Sequence, residues 1–416
     1  MWALCPDRER PVSMMRFLGG LVVAISLAAG SVQAAEPYRT QGDCDGFPRV
    51  DLKTAPDLCV GLVARHLGFA RGVAMIGRDV YVVDMGGWHR ARGRLLRLGD
   101  GGRGPPEPVL SGLDEPNGLA LAPDGGLYIG VLGKIVRVDP AAPDPAATAR
   151  EIVTGLPGDG LHPLSALAVA PDGSLFVNVG SATDHCEGAK DAAPDPAAAC
   201  PETLGAPPHG VILHVVPAST PVDAHGIAPY ARGLRNSMAL AMSASGRLLA
   251  GVNARDYIDR ADPALSDEDL PHDTFDVVEE GADYGWPYCY DEDVPSPEYP
   301  KYDCRAKRRP TLLLPPHAAP LGMLIYRGGA LPGLDQRLVI GFHGYRALGH
   351  RIVALPVDGD GKPTGPLRDI VWGWDDVDGD HPQGAPVSLF EADDGSILVT
   401  EDHNGTLLRL ARLRAR

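Results

Sequence analysis

The chain reads as an all-β protein, a six-bladed β-propeller, and three observations predict it. Its 416 residues include 51 Gly and 40 Pro, yet 44% are hydrophobic, so the Gly and Pro punctuate a core-forming chain as turns. Stretches that favour helix are short and scarce. One strand–turn–strand pattern recurs along the sequence, and Asp-Gly pairs mark its turn.

The repeats run in order. The first is GVAMIGRDVYVVDMGG with GRLLRL (72–98), the second GLALAPDGGLYIGVLGKIVRV (118–138), and the third ALAVAPDGSLFVNVG (166–180). MALAMSASGRLLAGVN (238–253), a weaker copy in GMLIYRGGALPGLDQRLVIGFHG (322–344) and VSLFEADDGSILVTEDHNGTLLRL (387–410) complete the set. Each predicts an apolar strand, a tight turn, an alternating second strand and a third strand. Asp124-Gly125, Asp172-Gly173, Ser245-Gly246 and Asp394-Gly395 fall at equivalent turns, where Gly supplies the positive φ of a hairpin. Six units of roughly sixty residues fit radial blades better than a sandwich array, which lacks this punctuation. The intervals 181–210 and 254–321 read as loop insertions between strands, and loops at one end of a propeller are where sites are built.

Residues 1–34 read as an export signal. Arg16 precedes an apolar run from Phe17 to Ala29, and Val32-Gln33-Ala34 has the small-residue pattern of a cleavage site; Met14 or Met15 is the better start. The run is too short for a membrane span. Residues 35–416 then form one propeller domain, soluble and periplasmic or secreted. Six of the 7 Cys remain in it, as Cys44/Cys59, Cys186/Cys200 and Cys289/Cys304. Nearest-neighbour disulfides are the simplest of about 15 connectivities. No CxxC pair suggests a metal, and no CxxCH suggests haem. The formal charge of −16 argues against nucleic acid and anionic membranes as partners. An anionic cofactor would need a local basic cluster.

The candidate chemistry lies in loops. His162 stands ten residues before Asp172, in LHPLSALAVAPDGSLFVNVGSAT. Arg235-Asn236 opens GLRNSMALA, and GADYGWPY follows about fifty residues later. With NARD, HAAPLGM, HGYR and GAPVSLFEADDGSILVTEDHNG, these segments occur in the order found in the glucose/sorbosone dehydrogenase family, which residues 65–412 resemble. That resemblance implies a six-bladed propeller using pyrroloquinoline quinone (PQQ) and Ca²⁺ to oxidise an aldose, sugar aldehyde or related polyol. It gives His162 the role of general base, makes Arg235 and Asn236 contacts of the cofactor, and gives Arg235 the further catalytic role of stabilising negative charge that grows on the quinone oxygen. Ala254-Arg255 would supply backbone carbonyls to Ca²⁺. His317 would lie near a cofactor carboxylate, His343 and Arg346 would contact the cofactor, Arg346 as a cation, and a separate partner would accept the electrons. Where relatives carry an Arg in the last blade, this chain has Gly384-Ala385-Pro386-Val387, so one expected cation is absent.

Other features have plainer readings. Tyr284-Gly285-Trp286-Pro287 reads as packing at a blade corner, Asp256 as a surface acid rather than a Ca²⁺ ligand, and Asp375, Asp376, Asp378 and Asp380 as a solvated loop, with a structural Ca²⁺ site as the alternative. Two other functions suit the same fold: a metal-dependent lactone hydrolase, and a propeller that has lost its cofactor and only binds a ligand or partner. Fold does not choose among them.

Overall fold

The computed structural model describes residues 38–344, 346–376 and 386–414. The predicted signal (1–34), Tyr345, Asp378, Asp380 and Gly384-Ala385 lie outside the described residues. Six antiparallel sheets form the blades of a propeller, and each sequence repeat opens one. Blade 1 is Ala70–Ile76, Asp79–Asp84, Gly93–Leu98 and Glu107–Leu113. Blade 2 runs Leu119–Leu121, Leu127–Val131, Lys134–Val138 and Arg150–Thr154, with Val222–Asp223 added at its edge. Blade 3 is Leu167–Val169, Leu175–Val179, Val211–Val215 and Pro229–Arg232; blade 4 is Ala239–Met242, Leu248–Val252, His272–Val277 and Leu312–Pro316. Blade 5 comprises Pro320–Ile325, Arg337–Phe342, Arg351–Pro356 and Arg368–Trp372. Blade 6 joins Pro386–Glu391, Ile397–Glu401 and Thr406–Arg412 to Leu58–Ala64 from ahead of blade 1, which closes the ring.

The turns follow the predicted chemistry. In blades 2, 3 and 6 the Asp carboxylate accepts from the amide two residues on: Asp124 from Gly126 at 3.1 Å, Asp172 from Ser174 at 3.0 Å and Asp394 from Ser396 at 3.1 Å. The intervening Gly takes φ of 79–87°, a region costly for any residue with a Cβ. The second strands depart from the expected alternation. Leu127–Val131, Leu175–Val179, Leu248–Val252 and Ile397–Glu401 are buried at every position. A blade flanked by two others has no solvent face, so its middle strands are buried throughout and mostly apolar, with Asn178, Thr400 and Glu401 as buried polar exceptions. Between blades 5 and 6, Val339, Ile352 and Trp374 pack with Val60, Ile397 and Leu408, each full burial contributing roughly 1.5–3 kcal/mol for such side chains.

The first strand of each blade packs on that of the next, forming an inner ring. Their close approach selects glycine: a Cβ on Gly322 would lie 2.2 Å from the Val387 carbonyl. Antiparallel order brings two kinds of loop to one end of the ring, those before first strands and those after second strands. His162, Arg235 and His317 occupy the former; Ala254, His343 and Asp402 occupy the latter. The interval 181–210 is such a loop of blade 3. The interval 254–321 carries the last two strands of blade 4 besides its excursions, which include a helical turn at Ile258–Ala261 and a hairpin of Cys289–Tyr290 with Val294–Pro295. Disulfides join Cys44–Cys59, Cys186–Cys200 and Cys289–Cys304, as the spacing predicted. The last two clasp the excursions of blades 3 and 4.

Candidate active site

Arg235 is the centre of the mouth between blades 3 and 4. Its Nε donates to the Asp184 carbonyl at 3.0 Å and its Nη2 to Asp184 Oδ1 at 2.5 Å. Its Nη1 donates to the carbonyls of Asn253 at 3.2 Å and Ala254 at 2.6 Å. The side chain is 5% exposed, so these partners replace the water it has lost. Burial pushes the Asp184 carboxyl up, but Arg235 and donated hydrogen bonds more than reverse this and hold it well below the usual range.

The shelf that carries Arg235 is braced by the GADYGWP segment. Trp286 Nε1 donates to the same Asp184 carbonyl at 3.1 Å. Gly233, two residues before Arg235, passes so close to Tyr284-Gly285 that a Cβ would lie 2.3 Å from the Gly285 nitrogen. The corner is packing, as its sequence suggests, and what it packs is the candidate site.

His162 adjoins this shelf through Ser181, whose amide donates to the Arg235 carbonyl at 2.8 Å. His162 Nδ1 lies 3.0 Å from the Ser181 carbonyl and 2.9 Å from its hydroxyl. A ring N–H donated to the carbonyl leaves Nε2 as the proton acceptor. Burial, and then the charge of Arg235, push the imidazole down to about 3. Gly180 touches both predicted residues: a Cβ there would meet the His162 carbonyl at 2.5 Å and Asn236 Oδ1 at 3.1 Å. Asn236 is 7% exposed, and its Oδ1 is buried without a protein partner, as is that of Asn253.

A carboxylate chain extends the wall into blade 5. Asp256 Oδ2 stands 4.0 Å from Arg235, and its Oδ1 is 3.1 Å from His317 Nδ1. His317 Nε2 donates to the Asp267 carbonyl at 2.7 Å, and Arg346 Nη2 pairs with Asp267 Oδ2 at 2.5 Å. Burial lowers the His317 imidazole, but its bond to Asp256 raises it overall. Asp273, beneath them, accepts from the amides of Ala254 at 2.8 Å and Ala319 at 2.6 Å. Its burial pushes it up to about 6.

Thus His162, Arg235, Asn236, Ala254, His317 and Arg346 come together. Arg255 contributes only backbone, because its guanidinium turns away to Glu298, 2.7 Å from both carboxylate oxygens. His343 joins a different cluster with Asp402, 3.1 Å away. Asp256 is half exposed, as a surface acid would be, and it also faces Arg235 and His317 at the mouth. Asp184 and Asp402 were missed. Their arginine partners lie 51 and 331 residues away.

Comparison with known proteins bears on the family and the fold. A family model described as glucose/sorbosone dehydrogenase matches residues 134–362. An uncharacterised protein of Borreliella burgdorferi is 28% identical over 162 residues, 37% of this chain and 42% of that protein, so the match spans less than half of the relative. Among solved structures, the calcium structure of a family AA12 carbohydrate-active enzyme from Trichoderma reesei superposes with a TM-score of 0.71 at 18% identity, covering 92% of this chain and 99% of the other. The holo PQQ domain of pyranose dehydrogenase from Coprinopsis cinerea gives 0.70 at 20% identity over 89% and 99%. The soluble aldose sugar dehydrogenase of Escherichia coli, in its apo form, gives 0.61 at 16% identity over 85% and 99%. At such identities the likeness is one of fold.

Proposed function

The chain belongs to the glucose/sorbosone dehydrogenase family, and on that premise we propose that it oxidises a sugar-like alcohol or aldehyde with PQQ and Ca²⁺. The observation that carries the reading is the meeting of His162, Arg235 and Asn236 around Gly180, with the Asn236 amide oxygen buried and unmatched. A buried polar atom without a partner is costly, and a bound ligand that donates to it would remove the cost.

The residues present suit the group. PQQ carries carboxylates, which call for cations in reach; Arg235, Arg346 and His317 supply them from one wall. Asp184 and Asp256 lie among these cations, so a polyanionic ligand would leave the wall short of positive charge. A divalent cation restores the balance, and Ca²⁺ accepts backbone carbonyls as ligands. The carbonyls of Ala254 and Arg255 are the proposed donors. Ala254 shares its oxygen with Arg235, which then orients the carbonyl.

When bound, the quinone supplies the acceptor for the hydride removed from the substrate carbon. The protein's own part is proton transfer and charge placement. His162, with Nδ1 held by Ser181, takes the hydroxyl proton at Nε2, help typically worth about 10²–10⁴-fold. Arg235, fixed by four hydrogen bonds, holds positive charge where negative charge develops, at no reorganisation cost. The bare imidazole, at about 3, is a weak base. An anionic ligand against Arg235 offsets the second cause of that depression and so raises the imidazole when the site is loaded, while burial, the larger cause, still lowers it.

Three disulfides favour an oxidising compartment, so we place the protein in the periplasm or outside the cell, with the signal at 1–34. No helix among the described residues is long and apolar enough to cross a membrane. A separate partner takes the electrons. The test is titration of Ca²⁺-loaded protein with PQQ, followed by dye reduction over a panel of aldoses and sugar aldehydes. Stoichiometric binding with substrate-dependent reduction is expected. Absence of binding overturns the reading, and lactone hydrolysis that is lost with chelator but indifferent to PQQ would replace it.

A further inference from the structure

The blade 5–6 side of the mouth holds a second constellation. Asp402 and His403 follow the second strand of blade 6, and His343 follows the second strand of blade 5. His343 Nε2 is 3.1 Å from each Asp402 carboxylate oxygen, and His403 Nε2 is 3.9 Å from Oδ1. The three ligand atoms all lie within 4.8 Å of one another. Around a tetrahedral ion with bonds of about 2.0–2.1 Å, neighbouring ligand atoms stand roughly 3.3 Å apart. The His343–Asp402 edge, at 3.1 Å, is close to that length, and the His403–Asp402 edge, at 3.9 Å, would have to shorten on binding.

The carboxylate is held as metal-ligating carboxylates are held. Asp402, 1% exposed, takes Arg71 Nη1 on Oδ2 at 2.6 Å and the His403 amide on Oδ1 at 2.8 Å. Arg71 Nε in turn donates to Asn117 Oδ1 at 2.8 Å, and Asn117 Nδ2 to the Ser165 carbonyl at 3.1 Å. That relay crosses blades 1, 2 and 3 and fixes the carboxylate before any ion arrives. Outer partners of this kind commonly govern metal affinity.

We propose that His343, Asp402 and His403 form a binding site for a divalent first-row transition cation of the Zn²⁺ type. Two imidazoles and one carboxylate are a borderline-soft set that disfavours Ca²⁺, which takes oxygen ligands. Three protein ligands leave at least one coordination position for water or a ligand oxygen. The site is separate from the Ala254-Arg255 carbonyls and does not depend on the quinone reading.

Cobalt tests it, in chelator-stripped protein without PQQ and with excess Ca²⁺ present. One Co²⁺ per chain is expected, with the visible absorption of imidazole-bound cobalt. In His403→Ala the affinity should fall by at least about tenfold, with an unchanged circular dichroism spectrum. Equal binding by that variant overturns the site, and so does failure of the unaltered protein to bind one equivalent. Should His403→Ala fail to fold, anomalous scattering from a cobalt-soaked crystal of the unaltered protein decides. An ion bonded to the Nε2 atoms of His343 and His403 supports the site, and an ion located elsewhere refutes it.

Discussion

Two buried arginines face each other in role across the mouth, and they are used differently. Arg235 spends its donors on one carboxylate and three backbone carbonyls, in loops of blades 3 and 4, the blade 3 loop being clasped by the Cys186–Cys200 disulfide. Arg71 spends its donors on two side chains, Asn117 and Asp402, from loops short enough to need no clasp. Around Arg235 the wall stays open, with Asp256 half exposed; around Arg71 every partner is buried. The first arrangement joins the loops of blades 3 and 4. The second ties blades 1, 2, 3, 5 and 6 together around one carboxylate.

The largest expected effect comes from Arg235→Ala. It strands Asp184 in a buried position, at a cost of about 3–5 kcal/mol in stability, and also removes PQQ binding. Chemical denaturation and PQQ titration measure the two losses. Arg71→Ala should cost a similar stability while changing PQQ affinity far less, since Asp402 keeps His343. Equal loss of PQQ affinity in both variants would erase the contrast. Next, His162→Ala should lower turnover about 10²–10⁴-fold with PQQ affinity nearly intact, as steady-state rates and titration would show.

The pH dependence sharpens the same point. The folded value for His162, about 3, lies below the unfolded value near 6.5. Between those values the unfolded chain binds the extra proton, so this residue's contribution to stability is present above pH 6.5 and lost as pH falls towards 3. The slope is at most about 1.4 kcal/mol per pH unit. Denaturation at pH 7, 5 and 4 should show it, and His162→Gln should flatten it. PQQ should raise the imidazole's titration midpoint in NMR; an unmoved midpoint would separate His162 from the Arg235 wall. The smallest effect is expected for Trp286→Phe, which removes one hydrogen bond to the Asp184 carbonyl. Roughly 1 kcal/mol of stability should go, with a few-fold weaker PQQ binding.

What was legible in the sequence was what is local. Asp-Gly turns announced the blades because one carboxylate, one amide and one positive φ suffice to make each hairpin. The disulfides were legible because each closes a loop of 14 or 15 residues. Strand Leu58–Ala64 gave no sign that it would pair with Thr406–Arg412, since its apolar run fits any buried strand. Asp256 looked like any surface acid until His317, 61 positions on, was seen at 3.1 Å. The carboxylates that set the charge of the mouth are specified by the ring's geometry, which no window of sequence contains.

That ring has a clasp. Blade 6 borrows Leu58–Ala64 from ahead of blade 1, the hairpin of Thr40–Cys44 and Phe47–Val50 extends the same sheet outward, and Cys44–Cys59 pins the borrowed strand to that hairpin. Topologically the molecule is a bracelet, and until Pro386–Arg412 is in place blade 1 has no neighbour on one side. Arg71 and Asp402 are 331 positions apart and meet only when the bracelet shuts. Assembly of the Arg235 wall depends on blades 3, 4 and 5 alone, so an open bracelet could hold one half of the mouth in order while the other half had yet to exist.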